Sequence, residues 1–134
     1  MNDEGLLIRN SLLTQSALTA IVGTGSTARL WPHRTMPITG YKPTDGVGIA
    51  FRTRGGGSLY NRALMTPSVQ FKIWGIDEKA ARTGAGVLVD VLDGKSFSSI
   101  KIANLDGLPQ VSQEQTPGAM WVFALCFFNI WLAM

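Results

Sequence analysis

Residues 118–134 carry no charge and are apolar on both of their alternating faces. Counting every second position, Met120, Val122, Ala124, Cys126, Phe128, Ile130 and Leu132 form one row, and Trp121, Phe123, Leu125, Phe127 and Trp131 form the other. Only Asn129 interrupts the second row. The aromatic and β-branched content favours a strand. A strand apolar on both sides must be covered on both sides. A single chain of 134 residues with few helices is expected to cover one face, leaving the other for something outside it.

Upstream, the period changes along the chain. Residues 3–22 read as helical, with Asp3 as N-cap and Leu6, Leu7, Leu13, Ala17, Ile21 and Val22 near one face. The pattern allows one helix or two broken near Thr14. Gly23 stops it. A turn at Thr24–Ser26 and a short strand at Ala28–Trp31 follow, ended by Pro32. Residues 32–46 contain Pro32, Pro37, Gly40, Pro43 and Gly46, a density that predicts an extended loop.

Val47–Arg54 reads as a strand, Gly55–Ser58 as the tip of a flexible loop over about 52–66, and Ser68–Trp74 as a second strand. In the latter, Val69, Phe71 and Ile73 face one side, and Gln70, Lys72 and Trp74 the other. Asp77 caps the clearest helix, running to about Leu92, with a stripe of Ala80, Ala81, Gly84, Val87, Leu88, Val91 and Leu92. Its small residues predict a close approach to the sheet. Asp93-Gly94 closes it. Ser99–Asn104 (with Ile100 and Ile102 alternating), a turn at Asp106-Gly107, Gln110–Gln115, a break at Thr116–Gly118 and the long final strand complete the chain. Hairpin-sized connections predict an antiparallel β-sheet with two or more helices on one face, one α+β domain over 1–134. No period of 20 to 50 residues repeats.

Composition sharpens this picture in two ways. Charged residues make up 16% of the chain, against a usual value of about 25%, while hydrophobic residues reach 46%. Such a balance suits an obligate oligomer, whose interface resembles a core cut in half. Twelve Lys and Arg against nine Asp and Glu give a net +3, too mild and scattered to predict nucleic-acid binding by charge alone. The acidic start has the wrong sign for a signal peptide. The carboxyl-terminal run falls short of the ~20 apolar residues of a membrane helix and has no flanking Lys or Arg, so no membrane association is expected.

Candidate chemistry is sparse. Gly23-Thr24-Gly25-Ser26-Thr27 lacks the Lys of a phosphate-binding P-loop and follows a helix instead of a strand. Gly55-Gly56-Gly57 after Arg52 and Arg54 could grip an anion through backbone amides and guanidinium groups. The commoner meaning is a hairpin tip with solvated arginines. His33 is the only histidine and Cys126 the only cysteine, so a catalytic triad, a disulfide or a zinc cluster has no partners to draw on. The carboxylates Asp77, Glu78, Asp90, Asp93, Asp106 and Glu114 fall on caps, turns and exposed faces. Trp31, Trp74, Trp121 and Trp131 read as core or as interface anchors.

Residues 66–94, from Thr-Pro-Ser-Val-Gln-Phe-Lys-Ile-Trp-Gly through the Asp-capped helix to Asp-Gly, resemble the strand-then-helix centre of tail-completion (tail terminator) proteins of long-tailed bacteriophages. The leading helix, the proline-rich crossing at Leu30–Pro43 and the closing strand at Met120–Trp131 fit the same element order. Residues 44–65, with their glycine-rich stretch, depart from it. The resemblance implies a non-enzymatic virion protein that needs no cofactor. It would form a ring, usually of six copies, that caps the tail tube and joins tail to head. Its partners would be itself, the tail-tube protein, a head-side connector or adaptor, and DNA passing through the lumen without sequence specificity. Its place would be the tail–head junction of the virion, after assembly in the host cytoplasm. Trp74, Trp121, Phe123, Phe127 and Trp131 are then candidate subunit-interface residues, and Arg52, Arg54 and Arg62 candidates for lumen or partner contact. The alternatives are a small domain binding an anionic ligand through its Gly-rich loop, or a small enzyme whose site the sequence does not reveal.

Overall fold

A computed structural model of the chain describes the backbone of residues 4–58, 64–107, 109–116 and 119–133. Side chains are described within these ranges except at 55–58, 64–66, 112–116, 119–120 and 133. The described residues form helices α1 (Glu4–Leu12), α2 (Ser16–Val22) and α3 (Glu78–Leu92). Six strands accompany them: β1 (Leu30–Trp31), β2 (Gly48–Ser58), β3 (Leu64–Gly75), β4 (Ile100–Leu105), β5 (Gln110–Thr116) and β6 (Ala119–Ala133). This is an α+β fold, with the helices on one face of a six-stranded sheet in the order β1-β2-β3-β6-β4, β5 also pairing with β6. Every pairing is antiparallel except that of β1 with β2. That exception follows from the crossover: the 32–46 segment carries the chain back before β2 starts, so Leu30 lies beside Ile49 in the same direction.

The amino-terminal pattern folds as two helices. The Thr14 hydroxyl donates to the Ser11 carbonyl at 2.6 Å, diverting the chain out of the helical ladder. Gln15 then adopts an extended conformation and starts α2. The break resets the helical phase, so the large buried side chains are Ile8, Leu12, Leu18 and Val22, whereas Leu6 is exposed. The single stripe that included Leu6 and Ala17 is therefore corrected. Asp3, expected as the cap, lies outside the described residues. Gly23, at φ +92°, ends α2.

β3 follows its expected alternation and α3 its expected span and cap, but in the α3 stripe Ala85 is buried where Ala80 and Val87 were expected, and these two are half-buried. Val69, Phe71 and Ile73 have no exposed surface and pack beneath the helices. The Asp77 carboxylate accepts from the Ala80 amide at 2.8 Å, capping α3. A Cβ added at Gly84 would stand 2.7 Å from Ile73 Cγ2, and one at Gly75 would stand 2.6 Å from the Ala81 amide nitrogen. These two glycines set how closely α3 lies on the sheet. The buried stripe is Ala81, Gly84, Ala85, Leu88, Val91 and Leu92.

Two strand expectations are corrected. Residues 52–58 and 64–66, expected as part of a flexible loop, are the extended ends of β2 and β3, and Gly55–Gly57 lie within β2. Pairing is sustained past the glycines because a register shift between Thr53 and Gly56 absorbs one residue. In β4, a similar shift between Ile100 and Ile102 breaks the alternation. Ile100 and Ala103 therefore face the helices, whereas Ile102 turns to the opposite face and is 39% exposed.

β4 and β5 pair with successive stretches of β6, Ile100–Leu105 with Phe128–Leu132 and Gln110–Thr116 with Ala119–Leu125. They are two halves of one hairpin arm, kinked around Gly107 (φ +84°). The kink is tied down where the Asp106 amide donates to the Phe127 carbonyl at 2.8 Å. β6 is thus an interior strand, paired with β3 over Val122–Ala133 on one edge and with this arm over Ala119–Leu132 on the other.

Candidate functional site

The two rows of β6 meet different partners. Ala124, Cys126, Phe128, Ile130 and Leu132 join the main core under the helices. The opposite row forms the second face of the sheet, which divides into a closed end and an open end.

At the closed end, Trp31, Tyr41, Ala50, Trp74 and Phe123 make a separate small aromatic core, with Trp121 and Leu125 packed against it. Trp74 and Phe123 lie 4.8 Å apart between centroids, and Tyr41 sits edge-on to Trp31 at 5.0 Å and to Trp121 at 6.0 Å. The proline-rich segment is the lid. The Tyr41 hydroxyl donates to the Gly46 carbonyl at 2.6 Å, and burial pushes it up to about 12 despite the opposing pull of Arg29. Arg29 staples the base of the lid, donating from Nε to the Val47 carbonyl at 2.9 Å and from Nη2 to the Ile21 carbonyl at 2.7 Å. Arg9 does the same for β1 through the Leu30 carbonyl. The Arg34 amide donates to the Phe51 carbonyl and holds the lid to the sheet edge.

This lid changes the expectation for the second face: part of what an outside body was to cover is covered by the chain's own 30–47 segment. Trp74 has no exposed surface and Phe123 is 8% exposed, so neither has area to offer a neighbour. Their assignment as interface anchors is corrected on that ground, and both belong to the aromatic core. Trp74 Nε1 is buried without a hydrogen-bond partner, a cost the packing of the indole must outweigh. Trp121 is half-buried at the rim of the lid.

The open end lies beyond Leu125. Phe127 is half-buried, Asn129 exposed and Trp131 39% exposed. Ile102 stands directly opposite Trp131 across β4 and β6, with the same exposure. Asn104 and Asn129 form the next cross-strand pair. The register also collects cations that look scattered in sequence. Arg52, Gln70 and Phe127 share one row across the sheet, and Lys72 and Leu125 the adjacent one. The Arg54 guanidinium rests 4.6 Å over the Phe127 ring, and Lys72 Nζ 4.6 Å over Phe123. Arg52 and Arg54 are both exposed, and Arg62 lies outside the described residues. Among the described strand side chains of this face there is no carboxylate.

A second concavity lies on the helix-bearing side, at the sheet edge. It measures 340 Å³ and is lined by Arg82, Ala85, Gly86, Pro109, Val111 and Ala124. It exists because α3 presents small residues where β5 passes, and a Cβ at Gly86 would meet nothing within 4 Å. Arg82 at its rim is held by Glu78 at 3.0 Å.

Elsewhere the chemistry is inert. Cys126 is enclosed in the main core, and burial pushes its thiol up to about 11, away from the reactive thiolate. His33, at φ +65°, lays its ring over the Gly5 backbone of α1. The Gly55–Gly57 backbone is extended strand, not the turn conformation that converges amides on an anion. Among the described residues no three His, Cys, Asp or Glu side chains group as a metal site. No described helix is long and apolar enough to cross a membrane.

Sequence reasoning missed Tyr41 and Ile102. An aromatic inside a proline-rich loop was the available signal for the first, and the register shift that turns Ile102 outward leaves no trace in the residue pattern. In comparison with known proteins, the chain matches no protein-family model and no curated protein.

Proposed function

We propose that this chain is a structural subunit of a long-tailed phage neck, forming a ring, six copies being the expected number, that ends the tail tube and joins tail to head. The observation that supports this reading is the open end of the second face, where Trp131 and Phe127 of β6 and Ile102 of β4 remain partly exposed. An exposed Trp opposite an exposed Ile is the composition of an interface core, not of a solvated sheet face. The resemblance of residues 66–94 to the tail-completion family supplies the biological setting. In that setting the ring meets the tail-tube protein on one side and a head-side connector on the other. DNA crosses its lumen without sequence reading, and the ring works without catalysis, cofactor or membrane. Its site is the virion neck, reached after assembly in the host cytoplasm. Arg52 and Arg54 then face the lumen or a partner protein, as solvent-facing cations beside an apolar patch. Negative-stain electron microscopy of the purified chain tests this: closed annular particles of uniform diameter are expected, and a field of small single subunits would contradict it.

A further inference from the structure

We infer that, on the ring reading just given, neighbouring copies join edge to edge. The outer edge of β2 over 52–58 in one copy takes β5 (Gln110–Thr116) of the next as an additional strand. The borders of the sheet are closed unevenly. β1 covers β2 only at Ile49 and Ala50, and the Arg34 amide takes the next carbonyl, that of Phe51. On the far side the outer edge of β4 is shut by Asp93 and Gly94. The Gly94 amide donates to the Ala103 carbonyl at 2.7 Å, and the Asp93 carboxylate accepts from the Leu105 amide at 2.9 Å. Two stretches keep one side open. Among the described residues no strand but β3 pairs with β2 over 52–58, and none but β6 pairs with β5. A backbone border left this way is a template for another strand.

The two open stretches fit each other in length, direction and charge. β5 has seven residues, the same number as 52–58 of β2. β2, β3, β6 and β5 are each antiparallel to the next, so β2 and β5 run in opposite directions. A copy carried across the sheet therefore presents its β5 antiparallel to β2, the more stable pairing. β2 holds Arg52 and Arg54 and no carboxylate, whereas β5 holds Glu114 and no cation. Full overlap of the two stretches sets Arg54 opposite Glu114. Two β2 edges would instead gather four arginines at one joint, and like charges disfavour such a pair.

Each copy has one edge of each kind, on opposite borders of its sheet. The joint is thus head-to-tail, and such joints close into rings or run on as filaments. The stretches also lie toward opposite ends of the strands. Position 52 is level with Phe127 through Gln70, whereas β5 pairs with Ala119–Leu125. Joined copies are therefore staggered along the strands, and a closed sheet takes up stagger as strand tilt. Closure leaves neither stretch open. Trp131 and Ile102 lie off both stretches, so their patch is left for contact outside this joint.

The full-length double variant Arg54→Cys with Glu114→Cys is oxidised in air with copper phenanthroline and run on a non-reducing gel. Directly opposed antiparallel positions put Cα atoms about 4.5–5.5 Å apart, within disulfide reach. The two sites of one chain stand on opposite borders of its sheet and cannot bridge internally, and Cys126 is buried. A ladder of linked copies up to the hexamer is expected from the double variant and from neither single one. Charge reversal is the second measurement. Arg54→Glu and Glu114→Arg should each raise the self-association Kd roughly fivefold, and the two together should restore it, with circular-dichroism spectra matching wild type throughout. A ring that gives no ladder, or reversals that do not compensate, would overturn the edge joint and leave the ring standing. A ladder running past six would keep the joint and overturn the closed ring. A monomeric wild-type chain would overturn both.

Discussion

Tyr41 shows how one side chain joins a loop to a sheet. Its ring closes the aromatic core against Trp31 and Trp121, while its hydroxyl satisfies the Gly46 carbonyl at the end of the lid. Ionising it would place a phenolate in that core. Tyr41 is pushed from an ordinary value of 10.0 up to about 12, and Cys126 from 9.0 up to about 11. Both groups hold their protons more tightly folded than unfolded. Their stabilising contribution is therefore whole below pH 9 and is lost as pH rises through 9–11 for the thiol and 10–12 for the phenol. Urea midpoints of the wild-type chain should hold steady up to about pH 9 and fall above it. Tyr41→Phe should lower the unfolding free energy at neutral pH by the ~0.5–1.5 kcal/mol of a lost hydrogen bond, yet show a shallower alkaline decline. Parallel declines in the two chains would show that Tyr41 is not enclosed as described.

At the scale of elements, the decisive contact is α3 on β3. Gly75 ends the strand where the first turn of α3 crosses it, and a methyl group there would meet the Ala81 amide nitrogen at 2.6 Å and the Ala80 carbonyl carbon at 3.0 Å. Backbone cannot yield as a side-chain tip does. Gly75→Ala should therefore cost about 1–3 kcal/mol in urea denaturation, the range for overpacking, and a neutral result would show that α3 sits further from the sheet. This contact was legible beforehand: the strict alternation of Val69, Phe71 and Ile73, the Asp77 cap and the run of small residues each pointed to it. β6 was equally plain, because seventeen uncharged residues left few other readings. What escaped the sequence was phase. The Thr14 break reset α1 against α2, and one-residue shifts near Gly55 and Lys101 turned a supposed loop into strand and Ile102 to the opposite face. Such shifts cost a single ladder position, and neither hydrophobicity nor propensity records them. The candidate interface was half legible for a related reason. Trp121, Phe127 and Trp131 were placed on the correct face, but a proline-rich loop gives no sign that it will fold back over Trp74 and Phe123.

The whole molecule is a sheet with two unequal covers: three helices over one face, and a short stapled lid over half of the other. The uncovered half combines an exposed aromatic–aliphatic pair with cations, while the helix-bearing side carries a groove of 340 Å³ at the sheet edge. The most direct test is the mass of the purified chain in dilute solution by light scattering coupled to size exclusion. A single species of about six times the 14.5 kDa subunit mass, persisting on dilution, is the predicted result. A monodisperse particle of one subunit mass at every concentration would contradict the account.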